Sequence, residues 1–98
     1  MPQAIAKKPP AKSLLIVDGD KLLLQRLAKA MTLRGFKVLT ADSVDEALDK
    51  VTQHALDFAV VDRWLADGDG TIIIEALKRH RPDVGRSSSL VMALSPTR

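Results

Sequence analysis

Two apolar runs in this sequence stop on an aspartate. Residues 14–20 read LLIVDGD and residues 57–62 read DFAVVD. A continuous apolar run of this length predicts a strand buried on both faces. Each run therefore carries a carboxylate, Asp18 or Asp62, to the end of a strand, and Asp20 adds another acid one glycine later. If the two strands are neighbours, their ends lie about 5 Å apart. Carboxylates that close repel one another unless a proton or a cation stands between them. A hard divalent ion with oxygen ligands, magnesium above all, is the expected resident.

The elements that would hold these acids alternate along the chain. SLLIVD (13–18) is the first strand. Asp20 to Arg34 follows as a helix, with Leu23, Leu24, Leu27 and Met31 at three-to-four spacing and Gly35 as its stop. FKVLTA (36–41) is a second strand. Ser43-Val44-Asp45-Glu46 has the form of a capping box, serine accepting from the amide three residues on and glutamate reaching back. A stripe of Val44, Ala47, Leu48, Val51 and Ala55 continues that helix. After the third strand (57–62), ADGDG predicts a turn, then Thr71 to Arg81 a helix ended by Pro82. Its three consecutive isoleucines are locally poor helix formers. GRSSS (85–89) predicts a loop, and SLVMAL (89–94) a fourth strand. This alternation argues an open parallel α/β sheet of βαβαβαβ type, with right-handed crossovers placing helices on both faces. Ligands of such sheets bind at the carboxyl ends of the strands.

The segments LLIVDGD, RGFKVLTADSVDEAL, FAVVDRWLADGDG and ALKRHRPD together resemble the receiver domain of two-component response regulators. The run from Arg26 to Asp83 looks most like the receivers of global redox and photosynthesis regulators. The resemblance runs over about residues 13–95 and rests on the ordered set, with Asp-Gly seven residues after Asp62. It implies a flavodoxin-like fold and a phosphoacceptor that is not an enzyme in its own right. Asp62 corresponds to the aspartate that takes a phosphoryl group from a sensor histidine kinase or phosphotransfer protein. Asp18 corresponds to the first acid of the pair that holds Mg2+, and Trp64 to the position whose main-chain carbonyl binds the ion. Gly70 matches the glycine closing the active-site loop, and Ser95 the hydroxyl residue that contacts phosphoryl oxygens.

Three departures from the family pattern stand out. Gly19 occupies the place of the second acid, so weakened Mg2+ affinity is expected, with Asp20 either bending back as a substitute ligand or capping the first helix. The chain ends at Arg98, before the final α-β-α of a complete receiver and its phosphoryl-pairing lysine. Ala66 stands where the family usually has proline. With the final elements missing, the fourth strand becomes an apolar edge, and self-association through that edge is expected.

Other readings compete with this one. A receiver-like interaction module that is never phosphorylated would use the same fold. Asp18-Gly19-Asp20 is also similar to the opening of haloacid-dehalogenase-type phosphatases, although Leu22 replaces their threonine. Asp67 and Asp69 lack the spacing of a calcium loop, Lys78 standing where a bidentate glutamate is needed, and are expected as turn residues. His54 and His80 are expected at the surface.

Bulk properties narrow the field further. Ninety-eight residues suit a single small domain. Lys7, Lys8 and Lys12 account for the formal net charge of +3, so residues 1–12 read as a basic flexible arm and 13–98 as the folded domain. The absence of cysteine excludes disulfide staples and thiolate metal sites and fits a cytoplasmic setting. No run is long enough to cross a membrane. No room remains for a separate DNA-binding domain, so no direct contact with nucleic acid is expected.

Overall fold

The computed structural model describes residues 12–80 and 91–95. The N-terminal arm up to residue 11, the expected helix end at Arg81–Pro82 and the 85–89 loop lie outside the described residues. Four strands, β1 (Ser13–Val17), β2 (Lys37–Ala41), β3 (Phe58–Asp62) and β6 (Val91–Ser95), form a parallel sheet in the order β2-β1-β3-β6. Three helices connect or follow them: α1 (Lys21–Leu33), α2 (Val44–Gln53) and α3 (Thr71–His80). Between β3 and α3 the chain makes a small antiparallel hairpin of β4 (Trp64–Leu65) and β5 (Gly68–Asp69). The expected parallel α/β sheet is thus the observed one. The hairpin was not foreseen, because two-residue strands are too short to carry a periodicity.

Alternation along β1 explains why its sequence is continuously apolar. Leu14 and Ile16 face α1, where they pack with Leu24 and with the partly buried Leu27, Met31 and Phe58. Leu15 and Val17 face the other way, into a larger core with Ala47 and Val51 of α2 and Ile73 and Leu77 of α3. Phe36 and Phe58 meet edge to face, ring centroids 5.6 Å apart. The α1 face is only partly covered. Val60 remains 37% exposed, and an apolar groove of about 240 Å³ runs past Leu14, Ile16, Leu27, Met31 and Phe58.

The helix ends follow the sequence signals closely. Asp20 caps α1, its Oδ1 accepting from the amides of Leu22 and Leu23, each at 3.1 Å. At the other end Gly35 takes a positive φ of 97°. There Gly35 N–H donates to Thr32 O and Phe36 N–H to Met31 O, the bond pair of a Schellman stop. Ser43 Oγ accepts from Glu46 N–H as the capping box predicts. Glu46 reaches one residue further back than a capping box requires, accepting from Asp42 N–H at 3.0 Å. α3 forms despite its isoleucines because Ile73 is fully buried, and burial outweighs the few tenths of a kcal/mol that β-branching costs. The fourth strand is described over Val91–Ser95, in five-residue register with Phe58–Asp62, one residue beyond the expected end at 94, while residues 89 and 90 lie outside the described residues.

Candidate phosphoacceptor site

Strand register brings the acids together. Val17 and Val61 are the last paired residues of β1 and β3, so Asp18 and Asp62 leave adjacent central strands at the same end of the sheet. Asp18 stays tied to the sheet by its amide, which donates to Ala41 O at 3.1 Å. Its Oδ1 accepts from Asp20 N–H at 2.9 Å, closing a tight turn around Gly19. Asp62 Oδ1 likewise accepts from Trp64 N–H, at 3.2 Å. Among the described residues, the second carboxylate oxygen of each has no hydrogen-bond partner. Both side chains are half-buried.

The hairpin after Asp62 decides where the Trp64 carbonyl points. Gly70 N–H donates to Arg63 O at 2.8 Å, making Arg63 and Gly70 a hydrogen-bonded pair. In an antiparallel ladder such pairs alternate with pairs that exchange no bonds. The next pair, Trp64↔Asp69, is therefore of the open kind. Trp64 N–H turns away from β5 and meets the Asp62 carboxylate, and in an open pair the C=O of the same residue is expected on that same edge. Gly70 permits this geometry, because a Cβ there would collide with the Asp62 carbonyl oxygen and crowd Val61 Cγ1.

Two carboxylates and one main-chain carbonyl are oxygen donors of the type Mg2+ takes, with water filling the remaining positions. No group of three or more His, Cys, Asp or Glu among the described residues is placed to hold a metal. Asp20 commits its Oδ1 to the α1 cap. Gly19, the residue expected to allow unusual backbone angles, does not use a positive φ, and a Cβ on it would meet nothing within 4 Å. Ser95 is the register partner of Asp62 at the end of β6.

Around the site, Arg63 and Asp69 form an exposed ion pair at 3.5 Å. The Arg63 guanidinium also lies 5.2 Å from the centre of the Trp64 ring, which is 53% exposed. Asp69 Oδ1 accepts from Thr71 N–H at 2.9 Å, and this bond holds its carboxyl below the usual range. Asp67, expected only as a turn residue, does more: it accepts from the Val44 and Asp45 amides, which lower its pKa. Only a contact prediction between distant segments would have found that role. His54 and His80 are both exposed, as expected.

An open parallel sheet with half-buried acids at the carboxyl ends of its central strands is a flavodoxin-like α/β fold. The chain belongs to the response regulator receiver domain family, which it matches over residues 14–92. It is 49% identical over 74 residues to the acid tolerance regulatory protein ActR of Rhizobium meliloti, the match covering 76% of this chain and 38% of that protein. The photosynthetic apparatus regulatory protein RegA of Cereibacter sphaeroides is 47% identical over 72 residues, 74% of this chain and 39% of RegA. The chain thus spans well under half the length of the curated relatives it matches. Among solved structures, a CheY-like receiver from Methanospirillum hungatei superposes with a TM-score of 0.72 at 22% identity, over 90% of this chain and 84% of that one. A Burkholderia pseudomallei response regulator carrying a phosphorylated aspartic acid, a calcium ion and citrate gives 0.70 at 22% identity, over 89% and 61%.

Proposed function

We propose that this chain is a phosphoacceptor receiver module of a two-component pathway, with Asp62 as the acceptor. A histidine kinase or phosphotransfer protein presents a phosphohistidine. The Asp62 carboxylate attacks phosphorus in line, the P–N bond breaks, and an acyl phosphate forms while the imidazole leaves. The observation that carries this reading is the register of β1 with β3, which sets Asp18 beside Asp62. A magnesium ion held there supplies neutralisation of the charge spread over the transferred oxygens. Asp18 and the Trp64 carbonyl are the residues that would hold it, and Ser95 the hydroxyl that would meet a phosphoryl oxygen. The phosphorylated aspartate and cation of the Burkholderia pseudomallei structure support the same assignment by analogy.

The module acts by changing which surfaces it offers, since a new dianionic group biases a two-state element. Self-association through the β6 edge is part of the reading, because among the described residues β6 has a neighbour on one side only. A cytoplasmic place suits a kinase partner. No described helix is long and apolar enough to cross a membrane.

The test is chemical. Incubation with acetyl phosphate and Mg2+ should add one phosphoryl group to the intact mass, and Asp62→Asn should abolish the adduct. Absence of any adduct in the wild-type chain would leave a receiver-like interaction module without phosphoryl chemistry. Turnover of a phosphomonoester lost in Asp18→Asn but kept in Asp62→Asn would point to a hydrolase instead.

A further inference from the structure

The hairpin that follows Asp62 is fastened at its tip to a helix that begins 23 residues earlier. Asp67 stands in the two-residue loop between β4 and β5, and both of its carboxylate oxygens are engaged. Oδ1 accepts from the Val44 amide at 2.8 Å and Oδ2 from the Asp45 amide at 3.1 Å. These are the first two amides of α2, and the third, of Glu46, goes to Ser43 Oγ. The helix thus takes its first-turn acceptors from two sources, its own N-cap and a distant carboxylate. A negative charge there also suits the helix dipole.

Other contacts clamp the same hairpin. Leu65 is 8% exposed and belongs to the core shared with α2 and α3. The Gly68 backbone lies so near α2 and α3 that a Cβ would stand 3.4 Å from Val44 Cγ2 and from Ile72 Cδ1. At the base, Gly70 N–H meets Arg63 O. Trp64 sits between the fixed tip and the fixed base. The direction of its carbonyl therefore follows from both.

We propose that Asp67 is a positioning residue for the acceptor site: its two bonds to the start of α2 hold the β4–β5 hairpin so that the Trp64 carbonyl faces the Asp62 carboxylate. The part of this that concerns the cation rests on the reading of Asp62 as a Mg2+-dependent acceptor. The fastening itself does not. It also makes α2 and the acceptor loop one mechanical unit, so a change at either is felt at the other.

The experiment compares Asp67→Ala with Ser43→Ala, which removes a cap from the same helix without touching the hairpin. Amide hydrogen exchange is measured on the whole chain without metal. Asp67→Ala should speed exchange at Trp64 and Gly70 by about tenfold, while Ser43→Ala leaves these two amides within about twofold of wild type. Asp67→Asn keeps one acceptor and should fall between, which preserves the test if the alanine variant folds poorly. Trp64 is the only tryptophan, so its fluorescence then reports a Mg2+ titration. Apparent affinity should drop about three- to tenfold in Asp67→Ala and stay unchanged in Ser43→Ala. Equal loosening by both alanine variants, or by neither, overturns the proposal. Should exchange respond as expected while wild-type fluorescence ignores Mg2+, the fastening is upheld and the acceptor reading is what fails.

Discussion

Gly19 sits between two acids, and the space where its side chain would project is open. Its backbone uses no glycine-only angle, so nothing in the local geometry requires glycine. The residue instead lowers the number of carboxylates at the mouth. Gly19→Asp should therefore add a ligand charge at little structural cost. We expect Mg2+ affinity to rise about tenfold, read by Trp64 fluorescence, with unfolding free energy within about 0.5 kcal/mol of wild type. An unchanged titration midpoint would show that position 19 does not face the ion. Gly70 is the opposite case. There the backbone of Asp62 fills the space that a side chain would need.

At the scale of elements, the link between the hairpin and α2 is electrostatic as well as geometric. The amides of Val44 and then Asp45 hold the Asp67 carboxyl below its ordinary value. A carboxyl with a depressed folded-state pKa adds stability above its unfolded pKa of about 3.9, and that stability is lost as pH falls through the lower folded value. Acid unfolding of the wild-type chain should accordingly steepen below about pH 4. Asp67→Asn should flatten this part of the profile and leave the slope between pH 6 and 8 untouched. Circular dichroism melts across pH would show it. Identical acid limbs in the two proteins would mean that the bonds contribute nothing in solution.

The whole molecule leaves two surfaces without cover among the described residues. β6 is an edge of the sheet, and the α1 face opens into the apolar groove beside Val60. Unpaired edges template pairing with another chain, and apolar patches favour association. The chain should therefore show a mass above that of one copy by light scattering, rising with concentration. Val60→Lys should lower that mass if the groove takes part. A single-copy mass at every concentration would rule self-association out.

The apolar runs, their terminal aspartates and the capping residues were legible before any coordinates, because each is a local pattern. Continuous LLIV required a strand buried on both faces, and the structure divides its side chains between two cores. Asp20 and Ser43 marked helix starts, and both cap there. What no local pattern carries is which segments become neighbours. Only the packing of β1 between β2 and β3 sets Asp18 beside Asp62, and only the stacking of the loop on α2 gives Asp67 its partners 22 and 23 residues away. Both depend on how layers settle against one another after the local elements exist. Hydrogen bonds between distant segments have no periodicity to read.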